Sequence, residues 1–325
     1  MSSKFLARID VRCWLQAVAV AGCALLTSCG GGEITPFVPT RLLAFGDDLS
    51  AIEADGSKYT INAFKQVTVN GVLTDDPTAL DCTRNPLWTQ AVATNFVLAL
   101  DRCLGAATAA SGQVLARAGH KVADFAAQIA AVQGNPLGEK DLALVMFGLN
   151  DILELYANYP ATGRDDLLAE ARARGASLGA QVNQLALSGP AVVVLTMPDI
   201  GLSPFAKAQN TSTGDATRAQ LISDLVSAFN NRMSVALIND GKLIGLAYGD
   251  IESQNEAKLP TAYGLTNVVD AACQATAVLP ACTTATLVDT ATGATWLWAD
   301  GVRLSPAGQA RLGVLALSRA RANPF

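Results

Sequence analysis

Apolar residues along the chain fall into short unbroken runs separated by helical repeats. Leu142-Ala143-Leu144-Val145-Met146-Phe147 has no polar interruption, and neither does Ala191-Val192-Val193-Val194-Leu195. Runs of this length, bounded by turn residues, read as strands buried on both faces. Residues 40–45 and 243–248 read the same way. Helical spacing fills the intervals. An Ala-rich helix is predicted over 165–187 and stops at Ser188-Gly189-Pro190. Another, over 217–238, places Leu221, Leu225, Ala228 and Phe229 on one face and ends at Asn239-Asp240-Gly241. Ser305-Pro306 caps and starts a last helix running to 321. Pro86 opens a helical pattern through Leu87, Val92, Phe96 and Leu100 that ends near Cys103. A second such pattern covers 122–132, and a helix follows Asn150-Asp151. Residues 51–79 are polar and read as a loop with one short hairpin over 66–72, turning at Asn70-Gly71.

Buried strands alternating with helices predict an α/β fold, a three-layer α/β/α sandwich around a mainly parallel sheet. No composition break or internal repeat divides 40–325, so one domain is expected there. Ligands of such sheets bind beyond the carboxyl ends of the strands, which is where Asp48, Asn150 and Asp199 fall.

Composition adds limits. Half the residues are hydrophobic and 16% are charged, enough for a sizeable core. The net charge of −5 is carried without a basic run, which argues against nucleic acid as a partner. The first 28 residues read as a signal peptide: Lys4, Arg8 and Arg12 precede an apolar stretch from about Cys13 to Leu26. Leu26-Thr27-Ser28-Cys29 resembles a bacterial lipobox, so Cys29 is the expected lipidation site and residues 29–39 a tether containing Gly30-Gly31-Gly32. The expected setting is an exported protein held at the cell envelope, on the outer membrane, through an N-terminal lipid anchor. The alternative is an ordinary secretory signal cut nearby. Cys82, Cys103, Cys273 and Cys282 then remain, an even number in an oxidising compartment. Three pairings exist; the short separations favour Cys82–Cys103 and Cys273–Cys282.

The first strand runs into Phe45-Gly46-Asp47-Asp48-Leu49-Ser50. This stretch resembles the first block of the SGNH (GDSL) hydrolase family, Phe-Gly-Asp-Ser-Leu-Ser. Four further stretches are similar to family blocks, in order. They are Ala116-Arg117-Ala118-Gly119, Phe147-Gly148-Leu149-Asn150-Asp151, Met197-Pro198-Asp199-Ile200-Gly201 and Trp298-Ala299-Asp300-Gly301-Val302-Arg303-Leu304-Ser305-Pro306. The resemblance implies the SGNH-like, flavodoxin-like version of the sandwich, and lipase or acylhydrolase chemistry on an ester. It implies Gly119 and Asn150 as oxyanion-hole donors, Asp300 as the carboxylate that orients the base, no cofactor and no metal.

At two positions this chain departs from the pattern. Asp48 stands where the family has its nucleophilic serine, and Arg303 where it has its histidine. Ser–His–Asp catalysis needs a hydroxyl to attack and an imidazole to take its proton. Arginine has five donors and no acceptor, so Arg303 cannot be a general base. Together the two changes predict an Asp48–Arg303–Asp300 ion-pair network in place of the catalytic pair. The competing expectation is independent decay, with Arg303 turned to solvent. Three readings keep hydrolysis: attack by Ser50, His120 as base, or Asp48 as a carboxylate nucleophile. Two functions follow as expectations. One is an exported family member with lost or strongly altered Ser–His catalysis. The other is a non-catalytic envelope lipoprotein, expected as a monomer, whose retained pocket binds an ester, lipid or glycan group. Trp298 is expected in the core or on a groove wall, and Arg172 and Arg174 on a solvated helix face.

Overall fold

The computed structural model describes residues 36–239, 241–323 and 325. The expected signal peptide, the expected lipidation site Cys29 and most of the expected tether lie outside the described residues. Nine strands are described: β1 (Arg41–Gly46), β2 (Phe64–Val69), β3 (Val72–Leu80), β4 (Gly112–Val114), β5 (Asp141–Met146), β6 (Ala191–Leu195), β7 (Ile244–Ala247), β8 (Asn267–Ala271) and β9 (Trp296–Trp298). The helices are α1 (Trp88–Asn95), α2 (Phe125–Ala130), α3 (Leu149–Ala157), α4 (Arg164–Leu187), α5 (Pro204–Thr213), α6 (Arg218–Ala236), α7 (Gly249–Lys258) and α8 (Pro306–Ala322).

Five strands form one sheet in the order β4-β1-β5-β6-β7, every neighbour parallel. Their apolar runs are covered on both sides: Leu42, Leu43, Leu144, Val145, Val193 and Val194 have no exposed surface. Helices α2, α3, α4 and α6 pack on one face, and α1, α7 and α8 on the other. The α4–α6 contact is close, because a Cβ on Gly175 would stand 2.1 Å from the Phe229 carbonyl oxygen and one on Gly179 2.7 Å from the Ala236 Cβ. Helices α5 and α8 start as serine caps allow. Ser203 and Ser305 accept backbone N–H groups at Ala206 and Ala307, each followed by proline.

Register decides what the sheet delivers. Arg41 opposes Asp141 and Gly46 opposes Met146, so β1 and β5 end level. At the amino end Arg41 fixes this register with two bonds to Asp141, Nε to Oδ1 at 2.8 Å and Nη2 to Oδ2 at 2.5 Å. At the carboxyl end the loops after β1 and β5 therefore emerge side by side.

Several expectations needed adjustment. The first helix ends at Asn95, well before Cys103, because Val97 has φ +56° and Leu100 bridges instead to Gly112. Apolar spacing alone could not separate a helix from an extended return. The second begins as a 3-10 turn at Val122–Asp124 and reaches only Ala130. The hairpin is longer than expected, with β2 and β3 pairing from Phe64↔Leu80 to Val69↔Val72 around Asn70 (φ +51°) and Gly71 (φ +81°). Helices α5 and α7 and the β8–β9 pair were not anticipated; α7 reads GDIESQNEAK, with almost no apolar face to betray it. Arg174 is not solvated: it binds Glu170 at 3.1 Å, Glu154 at 2.7 Å and buried Asp151 at 3.3 Å.

Both favoured disulfides form, Cys82–Cys103 and Cys273–Cys282. The second belongs to a small separate core with Ile61, Leu279 and Trp296, which anchors the segment carrying Asp300 and Arg303. Near the first, Lys58 has no exposed surface, and its ammonium donates to the carbonyls of Cys82 (2.8 Å), Arg84 (2.6 Å) and Asn85 (2.9 Å). Burial pushes this ammonium down to about 7, against the opposing pull of the Asp81 charge. Lys58→Met is expected to leave those acceptors unpaired and to lower stability by on the order of 3 kcal/mol, read by urea unfolding. A loss below a few tenths would show that the cage is dispensable.

Candidate active site

The site grows from two glycine-led loops at the level ends of β1 and β5. Gly46 closes β1 at φ +152°, where a Cβ would meet the Met146 carbonyl at 2.4 Å. Only glycine lets the chain turn there and present two carboxylates in succession. Asp47 points inward, with no exposed surface. Its Oδ1 accepts the Leu49 N–H at 3.1 Å, and its Oδ2 the N–H groups of Gly148 and Leu149, both at 3.0 Å. Asp47 thus ties the β1 loop to the start of α3. Burial, with the neighbouring Asp48 charge, pushes its carboxyl up to about 8 against those N–H donors.

Asp48 points into the site with 2% of its side chain exposed. Its Oδ2 accepts the Gly119 N–H at 2.8 Å and the Asn150 amide at 2.7 Å. Its Oδ1 accepts Arg303 Nε at 2.9 Å and Nη2 at 2.5 Å. Arg303 turns its other nitrogen, Nη1, to Asp300 Oδ2 at 2.7 Å, and Asp300 Oδ1 accepts the backbone N–H groups of Val302 and Arg303. The Tyr59 ring lies 5.5 Å from the guanidinium carbon. Burial alone would raise the Asp48 carboxyl. Arg303, Asn150 and Gly119 outweigh it and hold the group below the usual carboxylate range.

All five site positions expected from sequence therefore meet: Asp48, Gly119, Asn150, Asp300 and Arg303. The ion-pair network forms, and Arg303 does not point to solvent. The other candidates fare differently. Ser50 is fully buried and its hydroxyl accepts the Trp88 indole N–H at 3.0 Å, a structural bond. Asp199 caps a 3-10 turn at Gly201 and binds Ser223 and Gln254. Trp298 is buried, not on a groove wall. His120 lies beside the site, its carbonyl accepting the Asn150 amide at 3.0 Å and its Nδ1 3.0 Å from Gln128 Nε2. Gln128 exchanges both amide groups with the Gly46 backbone, which makes its Nε2 the donor to that ring nitrogen. Tyr59, Gln128 and the fastening role of Asp47 were missed. Tyr59 sits in a loop with no periodic signal, whereas the Gly-Asp pair itself pointed to Asp47. Among the described residues no group of His, Cys, Asp and Glu side chains could hold a metal ion.

The two adjacent carboxyls predict opposite pH effects. Asp48 has a depressed pKa, so its stabilising contribution is present above the unfolded value of about 3.9 and is lost as pH falls through the folded value. Asp48→Asn is expected to cost about 2–4 kcal/mol near neutrality, and the gap to wild type should close in acid. Asp47 is raised, so its contribution is full below the unfolded value and is lost as pH rises towards about 8. Asp47→Asn should flatten that decline. Denaturant titrations across pH read both, and a gap for Asp48→Asn that persists in acid would contradict the assignment.

A family model described as GDSL-like lipase/acylhydrolase matches residues 42–314. Among solved structures, the acetylxylan esterase Axe2 from Geobacillus stearothermophilus is 14% identical over 88% of this chain and 96% of that one, with a TM-score of 0.37. The lipase/acylhydrolase from Enterococcus faecalis is 13% identical over 88% and 98%, TM-score 0.40. LAE5, an α/β hydrolase enzyme from the metagenome of Lake Arreo, Spain, is 13% identical over 86% and 94%, TM-score 0.41. No curated protein matches. The family match covers β1 through most of α8, and on it the chain belongs to the GDSL-like lipase/acylhydrolase family.

Proposed function

We propose that this chain is an acylhydrolase-family protein that no longer hydrolyses esters by Ser–His chemistry and retains the site as a fixed ionic core. One observation carries the reading. The N–H of Gly119 and the amide of Asn150, which the resemblance assigns to a developing oxyanion, both donate to Asp48 Oδ2. A substrate oxygen would have to displace an anion that is already bound there. The same carboxylate is bound by Arg303, which is bound in turn by Asp300. Removing a nucleophile or base from a triad costs on the order of 10⁶ in rate, and here both positions are changed. The reading extends to the chain's setting, as an exported lipoprotein anchored at Cys29. The support for that part is the sequence pattern alone. No helix among the described residues is long and apolar enough to cross a membrane. In this setting the protein acts by binding an ester, lipid or glycan group at the site's rim, where Gly119 is exposed.

Wild type, Asp48→Ser and Asp48→Ser/Arg303→His are to be assayed on short- and long-chain p-nitrophenyl esters. Wild type is expected at the buffer rate, with turnover emerging only in the double variant. Wild-type turnover that disappears in Asp48→Ala would overturn the proposal in favour of a carboxylate nucleophile.

A further inference from the structure

The outer surface of the α4–α6 pair carries a groove of about 400 Å³ that shares no residue with the Asp48 site. The two helices run side by side in the same sense, since Arg164 reaches Asp224, Gly175 abuts Phe229 and Gly179 abuts Ala236. Arg164 and Arg172, two helical turns apart, line the groove from α4. Asp224, Ser227, Asn231 and Arg232 line it from α6. Three guanidiniums thus face one acid.

Asp224 is already engaged, accepting Arg164 Nη2 at 2.7 Å and the Gln220 amide at 2.9 Å. Arg172 and Arg232 have no ion pair or side-chain hydrogen bond with any described residue. Most other described arginines differ. Arg41, Arg84, Arg174, Arg218 and Arg303 each hold a carboxylate. These two exposed arginines share one concavity on a chain whose net charge is −5. Asn231 and Ser227 bond to each other at 3.1 Å and bring neutral hydrogen-bonding groups to the same wall. Planar guanidiniums with two free edges match a tetrahedral oxyanion, and the groove is large enough for a phosphomonoester but small for a polymer.

We propose that this groove binds a phosphate-class oxyanion through Arg172 and Arg232, with Arg164 held ready by Asp224. The group is presented either by a free phosphomonoester or by an anionic lipid headgroup. The site stands independently of the reading of Asp48.

The test uses the full chain in low-salt buffer, with inorganic phosphate and glycerol 3-phosphate titrated calorimetrically. Vesicles of phosphatidylglycerol or phosphatidylcholine are co-sedimented in parallel. Binding of either free phosphate, or of phosphatidylglycerol vesicles alone, supports the site and identifies the source. In either case Arg172→Gln/Arg232→Gln should weaken binding at least tenfold, and Arg319→Gln, an exposed charge on α8, should leave it unchanged. Circular dichroism of the variants confirms folding. Absence of binding to all probes at millimolar phosphate overturns the proposal. Equal binding by wild type and the double variant, or an equal loss with Arg319→Gln, does so too.

Discussion

A carboxylate with almost no contact with water needs its charge matched and its oxygens filled, and Asp48 has both from three other parts of the chain. Gly119 belongs to the loop after β4, Asn150 to α3, Arg303 to the segment before α8, and Asp48 itself to the end of β1. One side chain thereby fastens three loops at the carboxyl edge of the sheet. The arrangement is costly to break from any side, because removing one partner strands the others in a poorly solvated place. Each of the two opposite charges also needs the other. A lone aspartate facing oxyanion donors would lack a counter-charge, and a lone arginine there would lack an anion other than Asp300.

Asp47 and Asp48 show how far direction matters along two consecutive residues. The bend and turn that follow β1 send the two side chains into different surroundings. One carboxyl meets only backbone N–H groups inside the fold and is raised by burial. The next meets a guanidinium and is lowered. The inner one ties the β1 loop to the start of α3, and the outer one fills the site that those loops enclose.

Much of this was legible in the chain. The unbroken apolar runs at 142–147 and 191–195, short and bounded by turn residues, read as buried strands, and the Ser-Pro start of the last helix was written in its cap. The five site positions came with the family resemblance, and residue chemistry set an Asp48–Arg303 ion pair against the alternative of an Arg303 turned to solvent. Polar and irregular elements were not legible. Helix α7 has scarcely any apolar stripe, the helix from Pro86 stops where Val97 takes a positive φ, and Lys58 reads as a surface charge until the three carbonyls around it are seen. Arg174 looked solvated for a related reason: two of its three partners, Asp151 and Glu154, lie on α3, and one-dimensional spacing does not report them.

The chain contains one histidine, and that residue lies beside the Asp48 site. The His120 carbonyl accepts the Asn150 amide and its Nδ1 accepts the Gln128 amide, which is itself locked onto Gly46. Its ring is therefore coupled to β1, to the Gly119 loop and to α3 at once. Any imidazole resonance of this protein arises at that junction and nowhere else, so the molecule carries its own single-site spectroscopic label, needing no engineered probe to follow events around Asp48.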